Sequence, residues 1–389
     1  MRFRLGPHVA FAAFGIFWGA WGASLPALRD AAGLTEAQLG TALLCVGAGA
    51  LPAMLFTGRA VDRFGVRVAG LFLLALGAAG ILLSWWARDP VSISVGMLLV
   101  GAASGASDVS ANALAALGEA RSGRRVITVS HGVFSSFVVV GSLGAGALRA
   151  SGQEAVAVFA AAGALIGVAG ATVLIRSNGR PVTAPAAVTA PSARTLARFW
   201  PFVVVGLIGA LGFAAENGHQ SWGAILLEDE LQAGVGVASL APATFAAAAA
   251  VTRFAVGAST RIPESVLLIV GGVVASAGAV VVAVAPGILV ALCGVTLAAI
   301  GTSVLFPTLL STALRGVADD RRGRATSAVG TTAYLGFVVG PVYVGLLAGL
   351  VGLRGAMLGI AALTVVFAVA APAGRRLVAR TAPRTLRRR

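Results

Sequence analysis

Two acidic residues lie deep within long apolar stretches of this sequence. They are Asp108 and Glu216, and no other carboxylate lies well inside such a stretch. In a bilayer an ionised side chain costs several kcal/mol unless it meets water, a partner or a ligand, and buried carboxylates carry protons or bind substrates there. We therefore predict that both acids bind a ligand or a proton. The alternative for each is a neutral acid that is hydrogen-bonded between helices.

Polar residues accompany the first acid at helical spacing. Ser104, Asp108 and Asn112 recur at intervals of four, which places them on one helix face. Asp108 and Asn112 are candidate substrate contacts, and Asp108 is also a candidate proton site. His131, as a proton-binding group, and Ser135, as a substrate contact, could join them from the next apolar stretch. Because His131 lies near the end of its stretch, a gate or a structural hydrogen bond is an equal alternative.

The second acid has a similar polar face. Glu216, His219 and Gln220 lie within one helical turn of each other, and Trp222 follows. We favour Glu216 as the proton site, because His219 and Gln220 could stabilise either of its protonation states. His219, Gln220 and Trp222 are candidate substrate contacts.

An aromatic stripe occupies the first apolar stretch. Phe14, Trp18, Trp21 and Leu25 follow the spacing i, i+4, i+7 and i+11 of one helix face. Trp18 and Trp21 lie deep rather than at an interface, so they could form a stacking wall for a ring-bearing or sugar-like substrate. Packing against other helices or lipid is the alternative.

The composition shows what must position these residues. Of 389 residues, 58% are hydrophobic and 11% charged, and the mean hydropathy is +0.93. Such a chain has too little polar surface for a soluble globule, so lipid must be its solvent. Each long apolar run can cross about 30 Å of hydrocarbon as a helix. We predict an all-α polytopic membrane protein with twelve spans, at about 9–28, 37–57, 66–87, 91–117, 126–148, 154–175, 200–227, 234–252, 263–284, 287–314, 325–350 and 354–373.

The sequence repeats itself about 200 residues apart. The arginines and the Phe-Val-Val triplet of residues 121–139 recur in 321–339. We therefore predict two parallel six-helix bundles, 1–175 and 198–389, the second with a basic tail. A Pro-, Ala- and Thr-rich cytoplasmic linker, 176–197, joins them. Tandem apolar halves are typical of transporters whose substrate path forms between them.

The arginines predict the orientation. The net charge is +15, but the arginines fall in alternate loops rather than in one patch, which argues against nucleic acid as a partner. With a cytoplasmic N-terminus, only Arg29, Arg88, Arg149 and Arg354 lie outside. Both termini are then cytoplasmic, in a multi-pass protein of the inner membrane. A cleaved signal ending at 22–24 is the alternative, but it would leave an odd number of spans.

Motifs for catalysis and cofactors are missing from the sequence. We find no Walker phosphate loop, nicotinamide fingerprint, His-Glu-x-x-His or paired-cysteine motif. Cys45 and Cys293 both fall in apolar runs as packing residues. We therefore expect no enzyme activity, no cofactor and no metal. The expected partners are lipid, a small-molecule substrate and protons, and the chain is expected to be a monomer.

A charged segment follows the second span. It reads Gly58-Arg-Ala-Val-Asp62-Arg63-Phe-Gly65-Val-Arg67 and falls in a predicted cytoplasmic loop. This closely resembles the loop 2–3 signature of the major facilitator superfamily. The resemblance implies alternating access to a site near the bilayer midplane. It also implies a conformational latch, in which Asp62 faces a helix N-terminus and neighbouring arginines in one state only. For Arg59, Arg63 and Arg67, a role as plain orientation signals is an equal alternative.

Shorter motifs are similar to a bacterial branch of that superfamily related to fucose permease. They are Trp21, Asp108-x-x-x-Asn112, His131-Gly-x-Phe-Ser135, and Glu216 followed by Trp222. Together the resemblance and the buried acids predict a proton-coupled secondary transporter, a symporter, for a small organic molecule. The alternatives are a drug or metabolite exporter of the same fold and, from another class, a membrane sensor or enzyme. Residues 141–146 have glycines without the proline of many exporters, which disfavours a drug antiporter.

Overall fold

The computed structural model of the protein describes residues 6–122, 126–177, 200–257, 262–315, 317 and 319–381. Most of the predicted linker 176–197 and the end of the basic tail lie outside these residues. All the described elements are helical, which confirms the predicted all-α class. The first six helices are α1 Gly6–Ala31, α2 Glu36–Phe64, α3 Val68–Trp86, α4 Pro90–Ser122, α5 Val126–Ala150 and α6 Ala155–Arg176. The remaining helices are α7 Trp200–Asp229, α8 Val235–Ala238, α9 Leu240–Gly257, α10 Glu264–Val284, α11 Ile288–Thr302, α12 Leu305–Leu314 and α13 Asp319–Thr381.

Eleven stretches of the described chain are long and apolar enough to cross a membrane. A multi-pass membrane protein is therefore confirmed. The last stretch, Ala328–Val378, has 51 residues, more than twice the length that one crossing needs. It contains a break at Gly352, whose φ of 76° is left-handed and interrupts the helix.

The described residues form two compact units. Unit 1 falls within Met1–Val188 and Gln220–Ala247, and unit 2 falls within Thr189–His219 and Ala248–Arg389. The division by contacts thus differs from the division by sequence, because the segment Gln220–Ala247 of the second half belongs to unit 1. The predicted domain limits, 1–175 and 198–389, describe the sequence repeat and remain a prediction.

Corresponding helices pair alike in the two units. In unit 1, α1 packs on α5, α2 on α4, and α3 on both α4 and α6. In unit 2, α10 packs on α11 and on α13, and α7 approaches the first part of α13 where Gly336 meets the Ala210 backbone. The pairs 1–5, 3–4 and 3–6 of the first half thus recur at the matching positions of the second. This is the arrangement that a parallel repeat requires.

Local chemistry sets two helix ends near the predicted site helices. Thr35 and Gln38 form a capping box that begins α2. Asp89 precedes α4 and accepts hydrogen bonds from the backbone of Val91 and Ser92. The Ser92 backbone and hydroxyl hold the pKa of the Asp89 carboxyl below its ordinary value, because they stabilise its charged form.

Small residues allow α2 and α4 to approach closely. A Cβ on Gly101 would lie 2.0 Å from the Val46 carbonyl oxygen, and one on Gly105 would lie 2.7 Å from the Ala50 oxygen. Only glycine fits such a contact without moving a helix. The glycine spacing in the fourth span therefore has the packing role that small residues commonly have in membrane helices.

Candidate functional site

A polar network connects α4 and α5 within unit 1. The Asn112 side-chain amide donates to the Asp108 carboxylate at 3.0 Å and to the Asp108 backbone oxygen at 2.9 Å. His131 of α5 lies 3.2 Å from Asn112, between Nε2 and Oδ1. The structure thus brings together three residues that the sequence predicted as a group. Asp108 lies near the middle of α4, a helix of 33 residues. At this position in a membrane span an ionised side chain is costly unless it has a partner, water or a ligand.

The hydrogen bonds determine the roles of these side chains. Because a backbone carbonyl only accepts, its contact with Asn112 Nδ2 fixes the orientation of the amide. Asn112 Oδ1 therefore faces His131 as an acceptor, so His131 Nε2 must carry a hydrogen. The network runs from the His131 donor through the Asn112 amide to the Asp108 carboxylate. A proton added to His131 or to Asp108 would change the charge at that end of the network.

The network lies at an accessible part of unit 1. Asp108 and Asn112 are half-buried and His131 is exposed. The Phe11 ring stands edge-on to the His131 ring, with centroids 4.8 Å apart. Ser135 and Ser104 are buried instead, and Ser135 donates to the carbonyl of His131 in its own helix. The Ser135 hydroxyl is therefore bonded within its own helix in this structure.

The aromatic stripe of α1 is mostly part of the core. Trp21 is 3% exposed and stacks on Phe17 at 6.1 Å between centroids. Phe14 and Leu25 are buried as well. Trp18 is half-buried and meets Trp21 edge-on at 5.9 Å. Trp18 is thus the member of the stripe with the most surface left for a substrate.

An ion pair lies inside unit 2, and the sequence did not predict it. Arg253 of α9 donates from Nη2 to Glu216 Oε1 of α7 at 2.8 Å. The charge pattern placed Arg253 in a cytoplasmic loop after the span 234–252. The predicted span thus ended before Arg253, whereas α9 continues to Gly257 and the candidate span to Val256. The available signal was the presence of one acid inside a span, since intramembrane charges usually pair with one another.

A proline explains the second contact of this arginine. Arg253 Nε donates to the Ser303 backbone oxygen at 3.3 Å, between α11 and α12. Pro307 stands four residues later and has no N–H, so it cannot make the helical bond to that carbonyl. Pro307 therefore leaves the Ser303 carbonyl as an acceptor, and Arg253 uses it.

The remaining site residues predicted on α7, which follow Glu216 in the chain, are mostly buried. Glu216 and His219 are 7% and 2% exposed, and Trp222 is completely buried. Gln220 is half-buried, and its backbone oxygen lies beside Gly22 of α1 in unit 1. By the contact division, Glu216 and His219 belong to unit 2, and Gln220 and Trp222 belong to unit 1.

The predicted latch segment ends α2. Gly58 is buried, and Asp62, Arg63 and Arg67 are exposed. Gly65 closes the helix with φ 76° and donates its N–H to the Val61 oxygen at 2.8 Å, a left-handed position that favours glycine. Among the described residues, Asp62 has no ion-pair partner, and the side chains of 318–324 are outside the description. The latch role remains a prediction.

A second unpredicted ion pair joins the C-terminal ends of α1 and α7 within unit 1. Arg29 donates from Nη1 and Nη2 to both carboxylate oxygens of Asp229, the second bond at 3.0 Å. Arg29 also contacts the neighbouring Asp30. Sequence reasoning treated Arg29 only as an orientation signal. Its bidentate geometry holds the segment Gln220–Ala247 to α1.

Comparison with known proteins gives the family. A sequence profile of the Major Facilitator Superfamily matches residues 8–318 and 221–388. The chain is similar to an uncharacterised MFS-type transporter of Yersinia pestis, with 30% identity over 61% of this chain and 62% of that protein. It is also similar to an uncharacterised transporter of Sinorhizobium fredii, with 32% identity over 36% of this chain and 37% of that protein. The matched regions thus span less than two thirds of these first two relatives. The membrane protein MosC of Rhizobium meliloti is 26% identical over 93% of this chain and 88% of its own length.

Solved structures resemble the whole fold. A bacterial homologue of the human lysosomal transporter Spinster, in an inward-facing and unoccupied conformation, superposes with a TM-score of 0.77 at 15% identity over 98% of both chains. A nucleoside transporter, NupG with one substitution, gives 0.78 at 14% identity over 96% of this chain and 99% of its own. At such identities the likeness concerns the fold alone.

Proposed function

Because the chain belongs to the major facilitator superfamily, we propose that it is a proton-coupled secondary transporter that moves a small organic molecule by alternating access. The observation that carries this proposal is the network of Asp108, Asn112 and His131 inside the membrane-spanning helices. In a membrane protein that does not transport, an acid in the middle of a span costs free energy and brings little benefit. A transporter can use the same acid to bind its substrate or protons.

The proposal includes twelve crossings with both termini in the cytoplasm. Eleven candidate spans are described, and the last is long enough for two crossings separated at Gly352. Twelve crossings return the chain to the side where it started, which agrees with the arginine-rich loops predicted on one side. The membrane is proposed to be the inner membrane.

The two acids are proposed to divide the work. Asp108 and Asn112 present a carboxylate oxygen and an amide at an accessible part of unit 1, and both can bind polar groups of a substrate. Glu216 is covered and accepts a hydrogen bond from Arg253 at 2.8 Å, so a proton that binds its carboxylate would weaken this ion pair. The energy comes from the proton gradient.

Transport into proteoliposomes tests this function without knowledge of the substrate. Purified protein is reconstituted, a pH gradient with an alkaline interior is imposed, and an aqueous bacterial metabolite extract is added outside. Mass spectrometry then compares the lumen with that of empty liposomes. We expect at least one small organic molecule to accumulate, and dissipating the gradient to abolish the accumulation. The reversed gradient tests the export direction.

The amide variant Asp108→Asn provides the link to the site. It retains the size and hydrogen-bonding capacity of the side chain but removes the charge, so we expect reduced binding of the accumulated molecule. No accumulation in either gradient direction would reject secondary transport. If Asp108→Asn accumulates as much as the wild type, the network of Asp108, Asn112 and His131 does not take part in transport.

A further inference from the structure

The guanidinium of Arg253 is only partly used by its protein partners. It makes two hydrogen bonds, Nη2 to Glu216 and Nε to the Ser303 oxygen. A guanidinium has five N–H donors, and the donors on Nη1 meet no acceptor among the described residues. The Arg253 side chain is 41% exposed, whereas that of Glu216 is 9% exposed. Within this ion pair, the Arg253 cation is therefore accessible and the Glu216 carboxylate is buried.

Arg253 lies on the inner face of its helix. Ala249, one turn earlier on the same face, is 3% exposed, whereas Val251 on the opposite face is 68% exposed and Phe254 is 53% exposed. Side chains of a helix lean toward its N-terminus, so an arginine near the end of α9 reaches back into the span. Its contacts with Glu216 and Ser303, both near the middle of their spans, agree with this direction. An arginine that served only to orient the chain would extend outward to the headgroups.

Charge balance limits what this pair can bind. The pair has no net charge, and removing Arg253 would leave the covered Glu216 carboxylate without this compensating cation. An anionic group that takes the place of the Glu216 carboxylate at Arg253 restores balance only if Glu216 acquires a proton. A neutral or cationic ligand offers no such replacement.

We propose that Arg253 is the anion-binding residue of a transport site in unit 2 for singly charged small organic acids, and that Glu216 exchanges Arg253 for one proton when the acid binds. This inference rests on the proposed transport function and names its substrate class. Before binding, the site holds the Glu216 carboxylate and the Arg253 cation. After binding, it holds neutral Glu216, the Arg253 cation and the substrate anion. One anion and one proton enter together, no covalent bond of the substrate changes, and both states have zero net charge.

Other titratable groups lie on the helix of Glu216 and on other described helices of unit 2. They include His219 on α7, Arg253 on α9, and Tyr334, Tyr343 and Arg354 on α13. Arg354 donates to the backbone oxygens of Ala283 and Ala285 at the end of α10. Arg253 is the cation that donates to the Glu216 carboxylate, and in the proposed exchange its capture by an anion breaks this ion pair.

The test uses fractionated metabolites as probes. An aqueous bacterial extract is separated by ion exchange into monoanionic, neutral and cationic pools. The thermal stability of the purified protein in detergent is measured with each pool, because a ligand of the folded state raises Tm. We expect the monoanionic pool to stabilise the wild type. In Arg253→Gln the concentration of that pool needed for half the shift should rise at least about tenfold, since charged hydrogen bonds are lost.

The proton exchange has its own readout. If binding takes up one proton, the apparent affinity for the stabilising acid falls about tenfold for each pH unit of increase, while Glu216 is ionised before binding. Glu216→Gln has nothing to protonate. Its affinity should therefore be independent of pH over the same range, while binding itself persists. A pH slope that is equal in wild type and Glu216→Gln would overturn the proposed exchange.

Two further variants exclude trivial explanations. Arg315→Gln makes the same chemical change at an exposed pair with Glu264, in the same unit, and should leave the response to the monoanionic pool unchanged. The double variant Glu216→Gln/Arg253→Gln leaves no unpaired charge, so it remains testable if Arg253→Gln alone fails to fold. It should not respond to the anions.

The outcomes separate this inference from the proposed function. Stabilisation by the neutral or cationic pool alone overturns the anion site, and transport remains supported by accumulation in proteoliposomes. Stabilisation by the monoanionic pool that survives in the double variant also overturns the role of Arg253. If no pool stabilises the protein and nothing accumulates, both proposals fail together.

Discussion

The ion pair of Arg29 and Asp229 predicts how firmly the segment Gln220–Ala247 is held in unit 1. Beyond this pair, α8 packs on α5, and Ser239 lies so close to Gly146 that a Cβ there would be 2.0 Å from the Ser239 hydroxyl. Ser239 is 1% exposed, so a reagent reaches it only when the segment opens. We expect Asp229→Asn to increase the fraction of molecules in which it is open.

The size of this effect follows from the geometry. A hydrogen bond to a charged group contributes about 1.5–3 kcal/mol. Asp229 is 31% exposed and Arg29 retains Asp30, so the loss should lie below that range, at about 1–1.4 kcal/mol. Since 1.4 kcal/mol corresponds to a factor of ten, the open population should rise about fivefold to tenfold.

Thiol labelling measures this population. Ser239→Cys is introduced after Cys45 and Cys293 are replaced by alanine, and the rate of reaction with a maleimide is recorded. The rate follows the open population when closing is faster than labelling.

The matched control makes the same acid-to-amide change one residue from Arg29. Asp30→Asn affects an acid that also contacts Arg29 but is 62% exposed and lies on the same helix. It cannot tie the segment, so we expect a change of less than about twofold. Equal labelling in wild type and Asp229→Asn, or an equal rise in both variants, would refute the reasoning.

Three further predictions concern the network, the latch and the packing. His131→Ala should slow transport by about two- to tenfold, because a hydrogen bond to Asn112 is lost, whereas His131→Gln keeps an N–H donor and should be closer to wild type in the proteoliposome assay. Asp62→Asn should slow turnover without preventing insertion or ligand-induced stabilisation, because the charge of the latch is lost, and unchanged turnover would contradict this. Gly101→Ala should lower Tm in detergent, because its Cβ would lie 2.0 Å from a carbonyl oxygen, whereas Gly144→Ala meets nothing within 4 Å and should not; equal Tm values would refute this packing account.

The sequence determined the elements and their pairing because both depend on local or repeated patterns. Apolar runs of sufficient length become helices in lipid, since each backbone polar group needs an internal partner there. The 200-residue repeat predicted that corresponding helices pair alike, as α3 with α4 and α10 with α11 do. The spacing of Asp108 and Asn112 predicted their contact, because residues four apart on a helix are neighbours.

The limits of the helices were harder to predict. Charges marked the ends of the predicted spans, but α9 continues past Arg253, because a charged side chain inside a span is stable once it has a partner. The break between α11 and α12 was signalled by Pro307, whereas its consequence, a free carbonyl at Ser303, has meaning only beside Arg253.

Tertiary structure alone decided which distant charges meet. The sequence around Glu216 does not predict Arg253 as its partner, and the sequence around Arg29 does not predict Asp229. These partners are 37 and 200 residues apart and are brought together only by helix packing. For the same reason, only contacts show that Gln220–Ala247 belongs to unit 1 although it follows the repeat boundary. The sequence determines which side chains must find a partner in lipid, since an unpaired charge there is costly, and the packing of the helices determines which partner each one finds.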